Sequence, residues 1–181
     1  MSVLIIAEHN NKELKPFTLN AISAASQINE DVHALVLGSN SDSVAKSISE
    51  VPNVKKVIHV NNSLYENYLA ENYTSAVIKF AESYSHIICS ANTFGKNLMP
   101  RIAALLDVSQ VSDITKVVSE DTFLTKGNSD NFFTASPQLL PIITAWRSVF
   151  IWEAAVTALS VKGLSSLLLC SATNKTDIIL L

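Results

Sequence analysis

The sequence predicts a doubly wound α/β domain, a mostly parallel sheet covered by helices on both faces, followed by an apolar carboxyl-terminal tail. Three observations carry this expectation. Strand-like and helix-like segments alternate through residues 1–124. The strand-like runs are apolar throughout, as strands buried on both faces must be. The 181 residues are 48% hydrophobic and only 16% charged, against a usual charged share of about 25%, so one domain with an ordinary core is expected and global disorder is excluded.

Residues 3–7 (VLIIA) open the chain as a buried strand. A helix follows over residues 16–28, where Leu19, Ile22, Ala25 and Ile28 recur at intervals of three and Pro16 suits a first turn in which its missing N–H has no helical partner. Residues 32–37 are the second strand. Gly38-Ser39-Asn40-Ser41 then supplies a turn and a cap for a helix over residues 42–51, closed by Pro52-Asn53. Residues 54–60 read as a third strand, and after a loop at 61–65 a helix is expected over residues 72–84, with Ala76, Val77, Phe80 and Ala81 on its apolar face. Residues 86–90 are the fourth strand. The next helix falls within residues 95–106, where Pro100 is expected to end or kink it so that regular helix starts only near Met99. Residues 111–118 read as a fifth strand.

Right-handed crossovers wind such elements into a sheet whose ligands sit beyond the carboxyl ends of the strands, where strand order reverses. Those ends read Glu8-His9-Asn10, Gly38-Ser39-Asn40, Val60-Asn61-Asn62 and Ser90-Ala91-Asn92-Thr93. They are rich in amides and hydroxyls, which suits a site and suits turns equally.

Composition excludes several functions. The net charge is −3 and the longest basic run is Lys55-Lys56, so nucleic acid is not an expected partner. With four glycines in all, the chain has no GxGxxG, no GxxxxGK[ST] and no GxSxG elbow, which removes the usual dinucleotide, phosphate-loop and serine-hydrolase readings. Cys89 and Cys170 lie far apart without a CxxC spacing, which fits a reducing compartment and gives neither a disulfide framework nor a zinc site.

The candidate chemistry is sparse. Glu8 and His9 could form an acid/base pair, but neighbouring strand residues point to opposite faces, which favours a structural or interface role. His33, His59 and His86 show no ligand spacing, so no metal site is expected. Cys89 sits in a predicted central strand as a small hydrophobe. Lys96 and Arg101 lie near a helix amino terminus that could receive an anion, or they are surface charges that dock a partner. No catalytic, cofactor-binding or metal-ligating residue is assigned.

The stretch containing Lys96 and Arg101 also carries a resemblance. The segments VLIIAEH (3–9), PFTLNAISAA (16–25), VHALVLG (32–38), VKKVIHV (54–60), FGKNLMPRIAA (94–104), VSDI (111–114) and DTF (121–123) resemble, in order and spacing, the amino-terminal domain of the alpha subunit of electron transfer flavoprotein. The resemblance implies a Rossmann-like fold of the adenine nucleotide alpha hydrolase type. It implies a heterodimer with a beta subunit that carries electrons from acyl-CoA and other dehydrogenases to a quinone oxidoreductase and the respiratory chain. In the family FAD is held by a carboxyl-terminal domain of the alpha subunit, and AMP, where present, by the beta subunit. Residues 1–124 are thus expected to be a non-enzymatic scaffold and subunit interface, with no flavin-binding residue transferred to them. The implied location is the cytoplasm of a bacterium or the mitochondrial matrix of a eukaryote.

At residue 124 the resemblance is expected to end. The family continues through an arginine and a Tyr-Ala-Gly-Asn segment, whereas this chain reads Leu124-Thr125-Lys126-Gly127-Asn128-Ser129-Asp130. Residues 1–124 hold 9 basic and 13 acidic side chains, and residues 125–181 hold 4 and 3. The expectation is a domain over 1–124 and a divergent tail over 125–181, helical across residues 145–159, with a further apolar segment at 165–170. A frameshift or truncation that removed the flavin domain is set against a lineage-specific extension. Membrane insertion is disfavoured, because a span of about 20 residues would have to bury Arg147, Glu153 or Lys162 at about 2.5–3.5 kcal/mol each. Two rival functions remain open: a stand-alone adenine-nucleotide-binding domain and a nonfunctional remnant.

Overall fold

A computed structural model describes residues 1–125, 132–134, 142–145 and 178–180. Its elements run β1 (Ser2–Ile6), α1 (Pro16–Ile28), β2 (Val32–Gly38), α2 (Asp42–Ser49), β3 (Val54–Asn61), a 3-10 turn (Ser63–Tyr65), α3 (Ala70–Ala81), β4 (Tyr84–Ser90), α4 (Thr93–Leu106), β5 (Gln110–Val117), β6 (Thr122–Thr125), β7 (Phe132–Thr134), β8 (Ile142–Ala145) and β9 (Ile178–Leu180). The strands form one sheet in the order β7-β6-β5-β8-β4-β1-β2-β3-β9. Every pairing from β5 across to β9 is parallel, and the β5-β6-β7 margin is antiparallel. The doubly wound, mostly parallel architecture expected from the sequence is the one observed.

Side-chain alternation explains how one apolar run fills two cores. Successive strand residues point to opposite faces. Val3, Ile5 and Ala7 of the first run pack with Ala21, Ile22 and Ala25 of α1 and Val44 and Ile48 of α2. Leu4 and Ile6 pack on the other face with Tyr73 and Val77 of α3 and Leu98, Met99 and Ile102 of α4. Residues 3–7 are all essentially inaccessible to solvent.

Several boundaries differ from the expectation, each for a physical reason. α3 begins at Ala70 and ends at Ala81, because Tyr84 is drawn into β4, where it pairs with Ser2 of β1 and hydrogen-bonds His33. α4 is continuous from Thr93 to Leu106 and passes through Pro100, which corrects the expectation that the proline ends it. Proline forgoes a single helical hydrogen bond, and burial of Leu98 and Met99 before it and Ile102 and Ala103 after it holds the helix on the sheet.

Residues 125–181 also contribute to this sheet. β8 lies between β4 and β5, and its Ile143 is fully buried in the core shared with α1 and α2, while β9 adds to the free side of β3. The helix expected over residues 145–159 falls outside the described residues except for Ala145, which ends β8, and the segment at 165–170 and Cys170 also lie outside them. Among the described residues no helix is long and apolar enough to cross a membrane.

One glycine is required by a close approach. A Cβ on Gly95 would lie 1.9 Å from the Ser90 carbonyl oxygen, because the first turn of α4 packs directly onto the end of β4. Gly95→Ala is expected to destabilise the fold by about 3 kcal/mol through forced displacement of that turn. Asn97→Ala, at an exposed position of the same helix, is expected to change stability by under about 0.5 kcal/mol. Urea unfolding followed by circular dichroism measures both.

Candidate functional site

From β1 the chain winds outward through β2 to β3 and then returns past β1 to form β4. The sheet therefore has its switch point between β1 and β4, where the connections leave to opposite faces and open α/β sheets hold their ligands. In this chain Glu8 occupies that crevice. Its Oε2 accepts a hydrogen bond from Ser90 Oγ at 3.0 Å and another from Asn92 Nδ2. Asn92 Oδ1 in turn accepts from the Gly95 N–H at 3.1 Å, which caps α4. The Glu8 backbone is held from the α1 side: its N–H donates to Thr18 Oγ1 at 2.9 Å, and the Thr18 hydroxyl donates back to the Glu8 carbonyl at 3.0 Å.

His9 turns the other way. Its Nε2 lies 3.0 Å from the Leu37 carbonyl and its Nδ1 accepts from the Asn11 N–H at 3.0 Å, which sets a neutral ring protonated at Nε2. Burial pushes its pKa down from 6.5 to about 4 against the raising effect of the Leu37 carbonyl, and the nearby His59 adds to the depression. The Leu37 carbonyl accepts a second bond from the Tyr73 hydroxyl. Glu8 and His9 thus have separate partners on separate strands and do not form an acid/base pair.

The rest of the carboxyl edge is likewise filled by the chain itself. Three side-chain atoms converge on Gly38, where a Cβ would meet Ser41 Oγ at 2.5 Å, Asn11 Oδ1 at 2.7 Å and His9 Cε1 at 2.8 Å. Ser41 Oγ is 2.8 Å from His59 Nε2. The backbone N–H groups that a phosphate would need are already donated: Ser39 to Asn11 Oδ1 at 3.1 Å, Asn40 to Asn61 Oδ1 at 2.8 Å and Asn62 to the Gly38 carbonyl at 2.8 Å. Asn11 and Asn40 adopt left-handed backbone conformations with φ of 63° and 52°, which asparagine tolerates and which let both loops fold back over the edge.

The other sequence candidates are dispersed. His33 pairs with Tyr84 and Asp31 at the opposite end of the sheet, and His86 Nε2 lies 2.8 Å from the Glu120 carbonyl, tying β4 to the β5–β6 turn. Among the described residues no group of three His, Cys, Asp or Glu side chains could hold a metal ion. The Cys89 thiol is fully buried, and that burial pushes its pKa up to about 12, far from thiolate chemistry at neutral pH. Lys96 Nζ lies 3.2 Å from Asp113 Oδ2 and Arg101 Nη2 lies 2.7 Å from Glu71 Oε1, so both cations point to carboxylates rather than to a common anion position. Three residues of the edge escaped the sequence reading. Thr18 is a buried hydroxyl within an apolar helix stripe, Tyr73 is a buried tyrosine within another, and Tyr68 is an aromatic residue with φ of 55° that lies edge-on to His9. A hydroxyl on an apolar face is the signal that could have found the first two, and nothing in the spacing marks Tyr68.

The family model for the electron transfer flavoprotein domain matches residues 3–162, running on past residue 124. The chain is 46% identical over 123 residues to an electron transfer flavoprotein subunit alpha of Pseudomonas aeruginosa, covering 68% of this chain and 40% of that protein. It is 44% identical over 128 residues to the mitochondrial subunit alpha of Dictyostelium discoideum, covering 66% of this chain and 36% of that protein. A probable mitochondrial subunit alpha of Schizosaccharomyces pombe is 34% identical over 154 residues, covering 82% of this chain and 45% of that protein. The chain thus spans less than half the length of each of these relatives.

Two predictions concern the edge. Glu8→Ala leaves the buried Ser90 hydroxyl without its acceptor and is expected to cost about 2 kcal/mol, whereas Glu8→Gln, which keeps an acceptor oxygen, is expected to cost less than half of that; urea unfolding of both variants checks the order. His9, with its pKa depressed in the fold, is protonated first in the unfolded chain. Stability is therefore expected to be full above about pH 6.5 and to fall as pH drops toward about 4, by of order 3 kcal/mol from His9 alone. His9→Gln is expected to flatten that slope, read from unfolding curves at pH 7, 6, 5 and 4.

Proposed function

Because this chain belongs to the electron transfer flavoprotein family, with alpha subunits as its relatives, we propose that it acts as the scaffold and partner-binding part of a flavoprotein heterodimer and is not itself a catalyst. The observation that carries this reading is the closed switch point. The crevice that would cradle a cofactor in this fold is taken up by Glu8, and the space above Gly38 by His9, Asn11 and Ser41. The described residues accordingly do not fit FAD or AMP, and no electron-transfer step is assigned to them. In this reading FAD is held by a part of the alpha subunit beyond the described residues, and AMP by the beta subunit. What residues 1–125 supply is a rigid, polar-edged α/β body.

The partner is a beta subunit of the same family, and through it the complex serves acyl-CoA and other dehydrogenases and a quinone oxidoreductase. Relatives occur in a bacterium and in mitochondria, which supports the cytoplasm or the mitochondrial matrix as the place of action. Closure of the edge also counts against the stand-alone adenine-nucleotide reading, since the N–H groups of Ser39, Asn40 and Asn62 are already donated within the chain.

Co-expression with a beta subunit of the family tests the proposal. The two chains are expected to co-purify through size exclusion. The 181-residue chain alone is expected to show no flavin absorbance and no saturable binding of AMP by calorimetry. Failure to associate with beta, or bound FAD or AMP in the isolated chain, would overturn it.

A further inference from the structure

Asn11 joins the three loops that cover the carboxyl ends of β1, β2 and β3. Its Oδ1 accepts from the Ser39 N–H at 3.1 Å and its Nδ2 donates to the Glu66 carbonyl at 3.3 Å. The β1–α1 loop is thereby tied to the β2–α2 loop and to the β3–α3 connection. The Asn11 N–H in turn donates to His9 Nδ1 at 3.0 Å, from a backbone held left-handed at φ of 63°. That contact needs an unprotonated Nδ1. His9 Nε2 already spends its hydrogen on the Leu37 carbonyl at 3.0 Å, so a second proton has only Nδ1 to take. It would point at the Asn11 N–H, donor against donor, and the bond would be lost. The loop around Asn11 is otherwise closed on itself: the Asn10 N–H donates to the Glu13 carbonyl, Asn10 Oδ1 accepts from the Lys12 and Glu13 N–H groups, and His9 bridges to Leu14. Those bonds travel with the loop, so it can move as one piece.

The groups around His9 leave it as the sensitive one. His59 of β3 is also buried, but its Nε2 lies 2.8 Å from the Ser41 hydroxyl and its Nδ1 faces the Asp42 carboxylate of α2 at 3.9 Å, so its imidazolium would keep an acceptor on each side. A charge on His59 opposes one on His9. Tyr68 lies edge-on to His9, Tyr73 of α3 shares the Leu37 carbonyl, and burial keeps both phenols neutral. Glu66, Lys12 and Glu13 are exposed to solvent, and the Glu8 carboxylate is turned to Ser90 and Asn92. We propose that His9 and Asn11 form an acid-released latch. Protonation of His9 at Nδ1 frees Asn11, and residues 10–13 lift from the carboxyl edge while the sheet beneath stays folded. The open form uncovers Gly38 and releases the Ser39 N–H and the Glu66 carbonyl. Burial sets the direction: with the His9 pKa lowered from 6.5 to about 4 in the closed form, the latch is fully shut above about pH 6.5 and weakens as pH falls toward 4. The latch does not rest on the flavoprotein reading.

Amide hydrogen exchange of the isotopically labelled 181-residue chain, read by nuclear magnetic resonance and corrected for the intrinsic effect of pH on exchange, tests the proposal. Protection of the Asn11 and Ser39 amides is expected to fall about twentyfold between pH 7 and pH 5. About 1 M urea is expected to leave both unchanged, since a local opening exposes little surface, whereas the core amides of Leu35 and Ile88 lose protection with urea as global unfolding requires. His9→Gln is expected to remove the pH dependence at Asn11 and Ser39. Should that variant not fold, Asn11→Gly, which tolerates the left-handed backbone, decides. It is expected to leave the Ser39 amide weakly protected and insensitive to pH, while the amide at position 11 keeps its pH dependence. Protection of Asn11 and Ser39 that ignores pH, or that falls with urea in step with Leu35 and Ile88, would overturn the latch. So would a pH dependence at both amides that survives His9→Gln, or one at Ser39 that survives Asn11→Gly.

Discussion

The fold depends on the burial of β1 on both faces and both edges. β1 pairs in parallel with β2 on one side and with β4 on the other, and helices cover it above and below. Beyond its first residue, Ser2, whose hydroxyl reaches Asp31, a strand in that position can carry no polar side chain, since an unpaired polar group there would cost several kcal/mol. The sequence obeys, placing apolar residues at positions 3–7 and a carboxylate immediately after them. The polar groups of the central strands are therefore gathered at their two ends, Ser2, His33 and His86 at one and Glu8 and Ser90 at the other, where each must find a partner.

That requirement explains why the edge closes on itself. Glu8 satisfies Ser90 and Asn92 with its carboxylate, Asn92 caps α4, and Thr18 answers both backbone groups of Glu8, so one residue links β1, β4 and the starts of helices on opposite faces. His9, Asn11 and Ser41 do the same work above β2. Related sheets leave this crevice open for a ligand. Here the groups that would recognise one are consumed in holding strands together.

How much of this was legible depended on whether the signal was local. The first strand was readable because VLIIA is apolar without a break, and α1 because Pro16 and the spacing of its apolar residues mark start and face; its bounds of Pro16 and Ile28 match. The continuity of α4 was not readable, because a proline's local cost is outweighed only by long-range burial of Leu98, Met99, Ile102 and Ala103. The place of β8 was hidden for a related reason. Order along the chain says nothing of an insertion between β4 and β5, and a run flanked by Pro141 and Trp146 does not declare whether it is strand or helix. At the edge, the amide-rich strand ends were visible in the sequence. Their mutual satisfaction was not, since it depends on contacts such as Glu8 to Asn92 that only the folded sheet brings together.

The two ends of the sheet differ because the carboxyl end carries two long connections and the amino end carries none among the described residues. At the carboxyl end, residues 7–15 join β1 to α1 and residues 62–69 join β3 to α3, long enough to fold back and place Asn11 and Tyr68 over the strand ends. At the amino end, Ala81 is separated from Tyr84 only by Glu82 and Ser83. A connection that short crosses directly from helix to strand and cannot cover the edge beside it. The groups left there have to be satisfied by whatever the strands themselves present: Asp31 meets both Ser2 and His33, and His33 reaches the Tyr84 hydroxyl. The same economy of short amino-end turns that makes a parallel sheet easy to wind therefore leaves, in this chain, a polar cluster of Ser2, Asp31, His33 and Tyr84 that closes on itself at the strand starts.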